Sequence, residues 1–169
     1  MESLSVPTDA ELTGLARLAA DEVQRQKLML VTAESCTGGW IAKVLTDLAG
    51  SSAWFDAGVV TYSYEAKESL LGVNPRTLEH DGAVSEETAL EMVSGALARF
   101  GAGVAVAVTG IAGPSGGTPE KPVGMVWIGW KRRGGYAHAR LYQFAGDREA
   151  VRRQTVAAAL IGLRKTLTE

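Results

Sequence analysis

Apolar positions recur along this chain at two periods, and the changes of period mark its elements. Leu12, Leu15, Ala16, Ala19 and Val23 lie on one face of a helix that Thr8-Asp-Ala-Glu11 opens as a capping box and that runs to about Gln26. A short apolar run, Leu28–Thr32, reads as a strand, and helical spacing resumes from about Thr37 to Leu48 with Ile41, Val44, Leu45 and Leu48 in phase. Gly50-Ser-Ser breaks that pattern before a second strand, Ala57–Tyr62. Ser63 caps a short helix that Gly72 ends, and Ser85 caps a longer one with Ala89, Val93, Ala96, Leu97 and Phe100 inward. Val104–Thr109 is apolar on both faces, which predicts a central strand. Met125–Trp130 and Ala137–Phe144 are two more strands, joined through Lys131-Arg-Arg-Gly-Gly135 as a hairpin. A last helix runs from Arg148 to Leu167 with Asp147 as N-cap and Val156, Ala159, Leu160, Leu163 and Leu167 in phase. Helices alternate with strands early and a hairpin comes late. The fold class is therefore α/β, a single layered domain over residues 1–169 with a mixed β-sheet flanked by helices.

Composition narrows the function classes. At 169 residues, 46% hydrophobic and 21% charged, the chain suits one soluble globular domain. A net charge of −2 gives no electrostatic reason to expect nucleic acid or a membrane surface as a partner. The start, Met1 to Pro7, has neither a basic region nor an apolar one, so no secretory signal is expected, and no apolar run is long enough to span a bilayer. The lone cysteine, Cys36, excludes an internal disulfide, and His80 and His138 are far apart. A cytoplasmic protein without metal or other cofactor is expected.

The junction Val31-Thr-Ala-Glu-Ser-Cys-Thr-Gly-Gly-Trp40 concentrates the candidate chemistry. A strand that turns into a helix through Ser-Cys-Thr-Gly-Gly presents a hydroxyl at the strand's carboxyl end and aims free amides at the same place. Ser35 is the leading nucleophile; the bland alternative is that it caps the following helix. Cys36 ranks second as nucleophile, against a role in packing. Cys36, Thr37, Gly38 and Gly39 supply amides for an anion or an oxyanion. A serine hydroxyl needs a base. Neither histidine sits in a triad-like setting, and Lys67, early in its predicted helix, is the better candidate; its alternative is a solvated surface lysine. A lysine can take a proton near neutral pH only when burial lowers its pKa. Tyr62 and Tyr64 flank Ser63, where a phenol could relay a proton or hold a substrate. Thr109 and Gly110 end the central strand and could add a hydroxyl and an amide.

The loop from Gly110 to Gly124 holds five glycines and three prolines, a composition suited to close approach by a ligand. Arg148, Arg152 and Arg153 crowd the start of the last helix, where positive charge opposes the dipole. An anionic substrate group would relieve them, as ordinary ion pairs would; Arg140 is a further anion candidate.

Six blocks carry a family resemblance: Thr32-Ala-Glu-Ser-Cys-Thr-Gly-Gly39, Gly50-Ser-Ser-Ala-Trp54, Val60-Thr-Tyr-Ser-Tyr-Glu-Ala-Lys67, His80-Asp-Gly-Ala-Val-Ser85, Thr109-Gly-Ile-Ala-Gly-Pro114 and Lys121-Pro-Val-Gly124. In this order they closely resemble the CinA C-terminal domain family over Leu12 to Leu160, in its stand-alone form. The resemblance implies nicotinamide-nucleotide amidohydrolase activity in pyridine nucleotide recycling: nicotinamide mononucleotide is hydrolysed to nicotinate mononucleotide and ammonia. It also implies Ser35 as nucleophile, Lys67 as its partner and Tyr62 as an assisting phenol. Ribose-phosphate contacts from Arg148 or Arg140 are an inference from charge. Two alternatives stand beside this reading: a metal-dependent nucleotide phosphatase or pyrophosphatase, and a non-catalytic nucleotide-binding or partner-docking domain linked to competence or DNA damage. The implied partner is a small molecule, with a homo-oligomer left open and Trp40 or Trp54 as residues that would line its interface.

Overall fold

The computed structural model describes residues 5–169; Met1 to Leu4, part of the stretch inspected for a signal, lie outside them. Five strands form one mixed sheet: β1 (Leu30–Glu34), β2 (Phe55–Val60), β3 (Val104–Gly110), β4 (Met125–Arg132) and β5 (His138–Gln143), in the order β2-β1-β3-β4-β5. β1 runs parallel to both β2 and β3, whereas β4 is antiparallel to β3 and to β5. Helices α1 (Asp9–Arg25), α2 (Trp40–Thr46) and α6 (Arg148–Thr168) cover one face, and α3 (Tyr64–Leu71), α4 (Pro75–His80) and α5 (Glu86–Arg99) cover the other.

The central strand explains the layering. Val104, Val106 and Val108 point into the core beneath α1 and α6, and Ala105 and Ala107 into the core beneath α5. Small side chains on the second face let its helices come close. Within that layer, a β-carbon on Gly95 of α5 would lie 1.8 Å from the Leu71 carbonyl oxygen. Glycine at that point lets α5 seat the end of α3 against it.

The predicted N-caps are all in place: Thr8, with its capping box, and Ser63, Ser85 and Asp147 each accept from the first turn of their helices. Several boundaries differ from expectation, and β2 runs Phe55–Val60 rather than Ala57–Tyr62. β1 starts at Leu30 because Leu28 still belongs to the exit turn of α1, its amide donating to Val23 O after Lys27 adopts φ 54°. α2 starts at Trp40 because Gly38 and Gly39 take φ of 60° and 97°, which no right-handed helix contains. Helix α4 was not anticipated, although Asn74 as N-cap followed by Pro75 is a recognised opening. Trp54 is buried in the core rather than exposed, so it lines no subunit interface. Among the described residues no helix is long and apolar enough to cross a membrane.

Candidate active site

Strands β2, β1 and β3 all point their carboxyl ends to one edge. The chain leaves β1 toward β2 over one face, then crosses back to β3 over the other, so the edge beside β1 is the sheet's switch point, where open α/β sheets hold their ligands. The pairings Glu34↔Val60 and Ala33↔Ala107 carry Ser35, Thr61 and Thr109 to neighbouring positions just past the strand ends.

Ser35 is 8% exposed and does not cap α2, whose N-cap is Gly39. Its Oγ lies 3.1 Å from Lys67 Nζ. Lys67 reaches it from α3 and is fully buried; Nζ donates to the Thr61 carbonyl at 2.6 Å. No carboxylate among the described residues forms a salt bridge with it. Burial, acting against an ammonium with no counter-charge, pushes the Lys67 pKa down to about 8. The solvated-lysine alternative is therefore excluded by its position.

The turn that carries Ser35 is held from inside by Glu34. This last residue of β1 is buried, and its carboxylate accepts from Thr37 Oγ1 at 2.6 Å, the Ile41 amide at 2.9 Å and the Ala42 amide at 3.0 Å. It takes the place of the side-chain cap that Gly39 cannot supply. Burial raises its pKa, and these donors pull the other way. Thr37 thus has its hydroxyl engaged inward, leaving only its amide for the site. Sequence reasoning passed over Glu34; its signal was an acidic residue at the end of an otherwise apolar strand.

Cys36 is corrected as a nucleophile. Its thiol is buried and its pKa is pushed up to about 12 by that burial, so the thiolate is absent at neutral pH. Among the described residues, the Cys36 and Thr37 amides donate to no other residue, while the Gly38 amide closes the turn onto Ser35 O at 3.1 Å. Thr109 sits at the expected strand end, and its hydroxyl donates to Ala83 O at 2.7 Å, tying the loop before α5 to the site edge. Gly110 is still paired with Val126 in the sheet.

Tyr62 is exposed at the mouth and makes no hydrogen bond to Ser35 or Lys67. Its hydroxyl instead accepts from Arg148 Nη2 at 3.3 Å, and Arg148 Nη1 donates to Gly113 O at 2.8 Å. Arg148 thus joins the 110–124 loop to the exit of β2. Beside it, Ala112, Pro114, Val123, Gly146 and Asp147 line a cavity of about 470 Å³. Arg140 is not brought to this place. It sits on β5, three strands from β1, with its guanidinium 5.3 Å from the Tyr142 ring centre; the sheet order removes it from the site. Arg153 is held by Asp9 and Glu149. Arg152 donates through Nε to Cys36 O and through Nη2 to Thr37 O, both at 3.1 Å. Among the described residues no cluster of His, Cys, Asp and Glu could hold a metal ion.

An α/β domain with a serine and a buried lysine without a counter-charge at its switch point has the layout of a serine acyl-transfer protein. Comparison with known sequences narrows the class. The model of the CinA C-terminal domain matches residues 12–167, and the chain belongs to that family. It is 52% identical over 153 residues to the nicotinamide-nucleotide amidohydrolase PncC of Escherichia coli K12, covering 90% of this chain and 93% of that one. It is also 52% identical over 158 residues to the protein of the same name from Pseudomonas putida, covering 94% and 98%. The crystal structure of the competence/damage inducible protein CihA from Agrobacterium tumefaciens superposes with a TM-score of 0.91 at 47% identity, covering 98% of this chain and 99% of that one.

Proposed function

We propose that this chain is a nicotinamide-nucleotide amidohydrolase that hydrolyses the carboxamide of nicotinamide mononucleotide through Ser35 and Lys67, within cytoplasmic pyridine nucleotide recycling. The observation that carries the mechanism is the 3.1 Å contact between Ser35 Oγ and a buried lysine whose pKa is pushed down to about 8. With that value about a quarter of the molecules hold a neutral amine at pH 7.5. The amine accepts the Ser35 proton as Oγ bonds to the amide carbon, and the carbonyl electrons move to oxygen. The Cys36 and Thr37 amides, which donate to no other described residue, are assigned to the developing oxyanion. Collapse breaks the C–N bond, and the Lys67 ammonium returns its proton to the departing ammonia. A water then attacks the ester with Lys67 again as base; nicotinate mononucleotide leaves and Ser35 is restored.

Arg148 is the anion contact for the ribose phosphate, at the rim of the cavity between the 110–124 loop and the start of α6. Tyr62 shares that rim and acts there on the substrate rather than as a relay inside the Ser35–Lys67 pair. Support for the substrate comes from the relatives' name and for the chemistry from the site. The test is ammonia release from nicotinamide mononucleotide in EDTA by wild type and Ser35→Ala. Release by wild type alone supports a metal-independent serine mechanism. No release by either moves the protein to the non-catalytic binding reading.

A further inference from the structure

The oxyanion-binding amides of this site sit in a turn, and turns drift unless something fixes their peptide planes. Two charged side chains grip this one from opposite sides. Glu34 accepts from its inner donors, and Arg152, sixteen residues short of the end of α6, donates to its outer carbonyls. The geometry points to Arg152 as the positioning residue of the oxyanion hole.

The argument rests on peptide planarity. In a trans peptide the C=O and the following N–H point in opposite directions within one rigid plane. Arg152 Nε holds the Cys36 carbonyl at 3.1 Å, so the Thr37 N–H of the same plane is turned away from the guanidinium. The Gly38 amide holds Ser35 O at 3.1 Å, which turns the Cys36 N–H away in the same manner. Arg152 Nη2 holds Thr37 O, which also accepts from the Trp40 amide, and this fixes the plane that contains Gly38 N. The fork thereby sets the direction of one free amide directly and braces the plane that sets the other.

Charge adds to position. A guanidinium against the Cys36 oxygen polarises that peptide so that its N–H becomes a better donor. Arg152 is itself held in place by Trp40, whose ring centre lies 5.2 Å from its guanidinium carbon in a cation–π contact. Nε and one Nη2 N–H of Arg152 are thus committed to this backbone. A lysine could not copy the arrangement, because an ammonium has no planar fork for two successive carbonyls.

This inference rests on the hydrolytic reading above, so its test carries one readout that does not need turnover. Arg152→Ala and Arg152→Lys are compared with wild type for kcat and KM on nicotinamide mononucleotide, and by the ¹H–¹⁵N amide resonances of Cys36 and Thr37. A displaced oxyanion hole acts only in the transition state, so kcat falls by about 10²-fold while KM stays within about twofold. Free guanidinium at millimolar, non-denaturing concentration restores part of the rate in Arg152→Ala and none in Ser35→Ala. The Thr37 amide resonance moves or broadens in both Arg152 variants. If Arg152→Ala fails to fold, Arg152→Lys is read by the same kcat-to-KM split. An unchanged kcat overturns the inference, and so does a rise in KM alone, which would make Arg152 a substrate contact. An unmoved Thr37 amide overturns it whether or not the protein turns over. A wild type that releases no ammonia overturns the proposed function instead, and leaves the amide resonances to decide the role of Arg152.

Discussion

Lys67→Met should kill the enzyme and leave its fold as stable as before or more so, because the wild-type lysine is held against its own preference. Methionine keeps the length and the burial but carries no charge. Folding lowers the Lys67 pKa from 10.5 to about 8, which is worth about 3 kcal/mol of destabilisation wherever the ammonium is present in both states. Against this, methionine gives up the 2.6 Å hydrogen bond to Thr61 O, a loss of about 1–3 kcal/mol for a buried acceptor. The variant should therefore be neutral to about 2 kcal/mol more stable at pH 7, a rise in Tm of a few degrees.

The pH dependence is more telling than the value at one pH. Between about 8 and 10.5 the unfolded chain keeps the lysine proton that the folded wild type has released, so wild-type stability rises with pH across that window and is flat below it. The variant has no such group. Its advantage over wild type should shrink by about 2 kcal/mol between pH 7 and pH 9.5, other titrations cancelling in the difference. Urea unfolding of both proteins at the two pH values measures this, with ammonia release as the companion assay. A difference in stability that does not change with pH would refute the claim that Lys67 is a desolvated lysine with a lowered pKa.

The wild-type pH–rate profile should show the same group: kcat/KM falls tenfold for each pH unit below about 8, because only the neutral amine accepts the Ser35 proton. Cys36→Ala should retain most of the activity, and native Cys36 should resist iodoacetamide until the protein unfolds, since its thiol is buried and its pKa lies near 12. Gly95→Ala should cost activity as well as stability, because the added carbon would collide with the Leu71 carbonyl and push α3, with Lys67, off its seat; kinetics and urea melts on the same sample test this.

Much of this site can be read along the chain because its chemistry hangs on local signals. The strand–turn–helix junction at Ser35 and the Ser63 cap before Lys67 both lie in contiguous stretches with recognisable turn and cap residues. What could not be read depends on partners with no sequence signature. Arg152 binds backbone carbonyls 116 and 115 residues away, and any residue type offers a carbonyl. Arg140 looked equivalent to Arg148 because strand order is invisible in periodicity; only pairing places β5 at the far edge. The depth of Lys67 is likewise a matter of tertiary packing, which its neighbours in the chain do not announce. Glu34 lies in the same motif, but a carboxylate that serves backbone donors resembles any other acidic residue until those donors are seen.

The edge position of β2 has a consequence for how this protein dies. Ser35 follows an interior strand, paired on both sides, whereas Thr61, Tyr62 and Lys67 follow a strand paired only with β1, whose side chains alternate between partly buried and exposed. The two halves of the site therefore rest on ground of unequal firmness. Edge pairing opens at lower free energy than the centre of a sheet. Heat or mild denaturant should part nucleophile from base while the valine-lined middle of the sheet is still intact, so that inactivation precedes the loss of secondary structure and reverses on cooling.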